Sequence, residues 1–137
     1  MAISANDRIG YVCAQINCDP VPLYRPRFDT KRGRVYEDKR CEAGRNVQAL
    51  LLAQHTPKAP LEGPVSVGLT YYLAMPAKGR KPGPHDVRPD VDNLAKLTID
   101  VLTRLQWFKD DKQVAELHVV KRWSPTPGVR VEVWSLL

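Results

Sequence analysis

Histidine is scarce and scattered in this chain. His55, His85 and His118 are the only three, and none stands in a serine–histidine or cysteine–histidine spacing. That removes the usual means of activating a side-chain nucleophile. The cysteines Cys13, Cys18 and Cys41 are odd in number and lack the paired short spacing of zinc ligands. They read as reduced thiols of a cytoplasmic protein. No apolar run approaches the ~18 residues a membrane helix needs. None follows a basic start as in a signal peptide, so a membrane partner is not expected. Internal repeats and low-complexity tails are also missing.

What is present is a 137-residue chain, 43% hydrophobic, with three tryptophans. That suits one domain over residues 1–137 with a real core. The net charge of +6 favours a polyanionic partner. A soluble protein that is merely basic fits the charge equally well.

Along the chain, residues 9–16 read as a first strand. Pro20, Pro22 and Pro26 exclude a regular helix from the basic stretch that follows. Residues 37–55 turn helical, with Val47, Leu50, Leu51 and Gln54 on one side and Gly44 interrupting the first half. Residues 65–74 alternate, with Val65, Val67, Leu69, Tyr71 and Leu73 on one face of a strand. Residues 75–89 hold four prolines, two glycines and several basic residues, and read as a loop. The best helix spans residues 92–105, where Leu94, Thr98, Val101, Leu102 and Leu105 make a core-facing stripe. Residues 113–123 and 129–134 read as two more strands. The expected architecture is α/β: a mixed β-sheet packed against two main helices, with basic proline-rich loops.

The start of the best helix carries the chemistry. Asp90 and Asp92 flank Val91 where the chain leaves the proline loop, and Lys96 lies one turn beyond Asp92 on the same face. Asp110 and Asp111 follow the helix at the entrance of the next strand. If the helix packs across the sheet, three carboxylates and a lysine converge. Mg²⁺ takes hard oxygen ligands from one or two carboxylates, waters and phosphate oxygens. A metal so held activates water and stabilises charge on a phosphodiester, and an ammonium beside it does part of the same work. Each piece also has a plainer reading. Asp90 or Asp92 can cap the helix, Lys96 can pair with Asp92 and Asp100 on a solvated face, and Asp110-Asp111 can be a turn.

The run Asp90-Val-Asp92-Asn93-Leu94-Ala-Lys96, then Asp100, then Asp110-Asp111-x-Gln113-Val114, resembles the signature of the RusA family of Holliday-junction resolvases. The family pattern is Asp-Leu-Asp-Asn-Leu-x-Lys, an Asp on the same helix, and Asp-Asp-x-Gln-Val. Arg25-Pro-Arg-Phe28 and Gly33-Arg-Val-Tyr36 match its N-terminal portion more loosely, and the segment directly after Tyr36 shows no family pattern. The resemblance implies a homodimeric, Mg²⁺-dependent crossover junction endodeoxyribonuclease of bacterial or phage origin, with no small-molecule cofactor. Mn²⁺ could stand in for Mg²⁺. It implies metal-binding carboxylates at Asp90, Asp92 and Asp111, spacing favouring Asp111 over Asp110, and an essential basic residue at Lys96. Asn93 would support the turn, and Asp100 reads as a partner of Lys96 or as helix surface.

The implied partner is branched DNA, the four-way junction. Backbone contacts are expected from Arg25, Arg27, Lys31, Arg32 and Arg34 in one basic loop, and from Lys78, Arg80, Lys81 and Arg88 in the other. Trp107, Phe108, Trp123 and Trp134 are assigned to core or dimer contacts. A less selective structure-specific nuclease and a non-catalytic junction-binding protein are the alternatives.

Overall fold

A computed structural model of the chain describes residues 10–76 and 81–137. Five strands form a mixed sheet: β1 (Tyr11–Ile16), β4 (Val65–Ala74), β5 (Gly83–Pro84), β6 (Val114–Ser124) and β7 (Gly128–Ser135), in the order β1-β7-β4-β6-β5. Only β4 and β6 are parallel; the other neighbours are antiparallel. A parallel pair needs a long crossover, and helix α2 (Val91–Arg104) lies within it. Helix α1 (Lys39–Leu52) packs beside α2. The result is the α/β architecture expected of the sequence.

The alternation of β4 decides where the core lies. Val65, Val67, Leu69 and Tyr71 are buried with Val12, Ala14 and Ile16 of β1 and Val129, Val131 and Val133 of β7. These meet Leu94, Leu97, Val101 and Leu102 of α2 in one contiguous cluster. Trp107 and Phe108 are fully buried within it, so neither can stack on bases. α2 ends with Gln106 at φ 62°, the N–H of Gln106 donating to Thr103 O and that of Trp107 to Leu102 O. This paired closure satisfies the last carbonyls and turns Trp107 back into the core.

Helix α1 departs from expectation in its face. Val47 and Leu50 are exposed, while Cys41, Gly44, Arg45, Gln48 and Leu52 are buried. Those five also form a helical stripe, but a largely polar or small one. Its polar members are bonded inside: Thr98 Oγ1 donates to Gln48 Oε1 at 2.9 Å, and Arg45 meets Glu37 and Asp100. Gly44 faces Val21 so closely that a Cβ there would lie 2.8 Å from the valine Cβ. The glycine marks a contact, not a weak point.

Several boundaries also shift. The first strand starts at Tyr11, residue 9 lying outside the described residues. The helix expected over 37–55 closes as a 3-10 turn at Ala53–His55. The basic stretch expected to be irregular contains a hairpin, β2 (Arg27–Asp29) against β3 (Arg34–Tyr36). Asp29 Oδ1 accepts from the Lys31 and Arg32 backbone N–H groups at its tip, where Gly33 takes φ 64°. The second basic stretch contributes β5 to the sheet edge.

Gly44→Ala should therefore lower stability, although alanine in a helix interior ordinarily gains about 0.5–1 kcal/mol. Overpacking against Val21 costs about 1–3 kcal/mol. Urea denaturation should show a net loss that shrinks when Val21→Ala is added. A stabilised Gly44→Ala would contradict this packing.

Candidate active site

Asp90 occupies the N-cap position of α2 in extended conformation (φ −75°, ψ 143°), yet its side chain makes no capping hydrogen bond. The capping role open to it in the sequence is thus not used. Asp92 lies exposed in the first helical turn, and Lys96 is exposed one turn later. No hydrogen bond or ion pair to a described side chain engages Asp90, Asp92 or Lys96.

The approach to Asp90 is tied down on two sides. Lys121 Nζ donates to Val87 O and, at 2.8 Å, to Pro89 O. Leu23 N–H donates to Asn93 O at 2.8 Å, holding the proline-rich stretch against the helix start. Spacing gave no sign of Lys121, except that it occupies a position on the core-facing side of β6 where an apolar residue is usual.

Two open depressions flank α2 and meet at Leu23, which lines both. The larger, of about 700 Å³, places Asp90 and Asn93 beside Arg25, Arg88 and Tyr24. The smaller, of about 490 Å³, holds Lys96, Asp100, Asp111 and Arg45. The structure thus brings Asp111 to Lys96 and brings Asp90 to two arginines. It does not gather Asp90, Asp92 and Asp111: among the described residues no group of three His, Cys, Asp or Glu side chains could hold a metal ion. The reason is register. Val114 begins β6 opposite Val65, so the preceding turn reaches α2 beside Lys96 and Asp100 and not at its first residues. The donors still suit a hard cation, since Asp90 and Asp92 are uncommitted carboxylates and Mg²⁺ requires only one or two.

The adjacent acids 110 and 111 differ in their work. Asp110 caps a short 3-10 turn, Asp111–Gln113, its carboxylate accepting from Lys112 N–H at 2.9 Å. That backbone donor, then the Asp111 side chain, hold the Asp110 carboxyl below its ordinary range. Gln113 completes the cap, with Oε1 accepting from Lys109 and Asp110 N–H and Nε2 donating to Leu61 and Gly63 carbonyls. Asp111 is exposed and faces the smaller depression.

Asp100 pairs with Arg45 at 3.0 Å and Arg104 at 3.9 Å, not with Lys96. Arg45 is buried and was not anticipated as part of the site, because nothing in its spacing separates it from a surface arginine. Its bond to Glu37 keeps that carboxyl below its ordinary range. The lowered value means a stabilisation present above the ordinary glutamate pKa and lost as pH falls through the folded one.

The basic residues fall into three groups. Arg25, Lys31, Arg34, Lys81 and Arg88 are exposed, without an ion pair to a described residue. Arg27 is bonded to Asp38 at 3.2 Å and Arg32 lies 3.8 Å from Asp29. Lys78 and Arg80 lie outside the described residues. Asp38 also accepts from Arg40, whose guanidinium lies 3.6 Å from the centroid of the Tyr24 ring.

The chain matches the family model described as "Endodeoxyribonuclease RusA" over residues 17–134. It is 33% identical over 128 residues to "Uncharacterized protein YqaN" of Bacillus subtilis (strain 168), covering 84% of this chain and 89% of that protein. It is 28% identical over 100 residues to "Crossover junction endodeoxyribonuclease rusA" of Lactococcus phage r1t, covering 72% of this chain and 76% of the phage protein.

The division of labour between the two acids is testable by thermal denaturation. Asp110→Ala should lower the melting temperature, since it removes a cap. Asp111→Ala, which removes a side-chain contact to Asp110 but no cap, should lower it far less. Equal losses would show that Asp111 is structural.

Proposed function

We propose that this chain, which belongs to the RusA family of endodeoxyribonucleases, is a divalent-metal-dependent enzyme that resolves four-way DNA junctions by phosphodiester hydrolysis. The observation that carries the proposal is the set Asp90, Asp92 and Lys96, whose side chains make no bond to another described side chain, at one helix start beside Arg25 and Arg88. The phage relative is named a crossover junction endodeoxyribonuclease, which supports the same substrate class.

In this reading Asp90 and Asp92 would hold Mg²⁺, which Mn²⁺ can replace, and Asp111, which stands with Lys96 and not beside them, would join the ion only across the bound phosphate. The bound ion would lower the pKa of a water and neutralise charge on the scissile phosphate. Lys96 faces the phosphate because its i+4 neighbour Asp100 is already engaged by Arg45 and Arg104. An ammonium without an ion pair among the described residues can add charge stabilisation where negative charge develops. Arg25 and Arg88 clamp flanking phosphates, and Lys31, Arg34 and Lys81 extend the contact without reading sequence. Two cuts on a two-fold substrate call for two sites, and a C2 homodimer supplies them.

Asp92→Asn should bind a labelled four-way junction as wild type does, in gel-shift titration, and lose cleavage by on the order of 100-fold or more. Lys96→Ala should likewise impair cutting far more than binding. Loss of fold in Asp92→Asn would mean a structural cap. Equal loss of binding and cutting in Lys96→Ala would make it a simple phosphate contact.

A further inference from the structure

Neither face of the β2–β3 hairpin is buried. Phe28 and Val35 stand directly opposite each other on one side, 60% and 63% exposed. Alternation sends Arg27, Asp29, Arg34 and Tyr36 to the other side. Residues 25–37 are all exposed except Asp29, so the ribbon stands clear of the body of the domain. Phe28 and Tyr36 are the two most exposed aromatic side chains among the described residues, and neither belongs to the core cluster. A cross-strand pair of an aromatic and a β-branched residue steadies a hairpin. That accounts only for the surfaces the two side chains turn to each other. Single exposed apolar residues are ordinary, whereas a contiguous apolar patch marks a contact surface.

The ribbon is held at both ends. At its tip the Asp29 carboxylate accepts from the backbone of Lys31 and Arg32, and at its base Arg27 is bonded to Asp38, the N-cap of α1. Its charge indicates what can cover it. Residues 25–36 carry five basic side chains and one acid, Asp29, which is already engaged. Arg25, Lys31 and Arg34 have no ion pair to a described residue. The core of a protein–protein interface is depleted of charge, so this ring of cations points elsewhere. A nucleic acid fits it, because apolar base faces lie there between rows of phosphates. Reading base edges would need polar groups where Phe28 and Val35 stand. Their side chains suit a base face, in the manner of apolar wedges that enter between base steps.

We propose that Phe28, backed by Val35, is a wedge that packs on the base pair exposed at a DNA branch point and makes this chain favour junctions over continuous duplex. The proposal rests on the nuclease reading above and assigns its selectivity to a surface outside the acidic site. The two surfaces are joined through Arg25, which lines the depression holding Asp90. Three residues of extended chain span about 10 Å. Phe28 therefore stands within about three base-pair steps of a phosphate held at Arg25. In continuous duplex each base pair is covered by its neighbours, and a wedge must first separate them. At a branch point the stack is already interrupted, so the same insertion costs less there.

The test is gel-shift titration in EDTA, where the DNA stays whole, against a four-way junction and a linear duplex of matching sequence. Phe28→Ala should weaken junction binding on the order of tenfold and leave duplex binding unchanged. Phe28→Trp should keep the preference for the junction. Arg34→Ala is the comparison, since loss of a phosphate contact should weaken both substrates alike. A 2-aminopurine placed at the branch point should change its fluorescence on binding wild type and not on binding Phe28→Ala. Circular dichroism and sedimentation confirm that each variant keeps its fold and its state of association. Equal loss on both substrates, or no loss on the junction, overturns the proposal. A loss that accompanies altered sedimentation also overturns it, because the hairpin would then be a contact between subunits. Junction cleavage by a chain indifferent to Phe28→Ala removes the wedge and leaves the nuclease reading standing. A Phe28-dependent preference in a chain that cuts nothing does the reverse.

Discussion

The grip on helix α2 is the constraint on which the rest of the structure depends. Tyr71, at the centre of the sheet, donates to Leu94 O at 2.8 Å and contacts Thr98 Oγ1 at 2.6 Å. Thr98 passes the link to Gln48 of α1, and Arg45 of the same helix reaches Asp100. Burial pushes the Tyr71 hydroxyl well above the ordinary tyrosine range, so it stays a neutral donor. A buried polar seam of this kind is favourable only when its members find partners. Tyr71, Thr98 and Gln48 Oε1 meet that condition, whereas Gln48 Nε2 has no partner among the described residues. The bonds that are made fix the depth and rotation of α2, and with them the direction of its first turn.

The exposed acids gain their significance from that rigidity. Asp90 stands at a helix N-terminus without capping it, while Asp38 caps α1 and Asp110 caps the 3-10 turn. Carboxylates that hold the fold and carboxylates left open to solvent are thus separate sets. Asp38 is kept well below its ordinary range, chiefly by Arg40. In a chain of net charge +6, uncommitted acids flanked by Arg25, Arg88 and Lys96 form a small negative island in a positive surround. Polyanion binding and cation capture can then coexist on one surface.

Legibility in the sequence followed periodicity. Strand β4 and helix α2 were readable because their buried positions are apolar at spacings of two and of three to four. The buried face of α1 was not, since Gly44, Arg45 and Gln48 look like surface residues until Asp100 and Thr98 are placed beside them. The β2–β3 hairpin hid behind the prolines that precede it, in strands of three residues, and β5 is too short to show alternation. Asp90, Asp92 and Lys96 were legible as a local spacing. The place of Asp111 was not, because it depends on where β6 starts against β4, a through-space fact with no local mark.

The most direct measurement is cleavage of a labelled synthetic four-way junction by wild-type protein, with and without Mg²⁺, beside linear and forked duplexes. Paired symmetric nicks confined to the junction and dependent on the metal are the result this account predicts. Metal-independent cutting, or equal cutting of all three substrates, would contradict it.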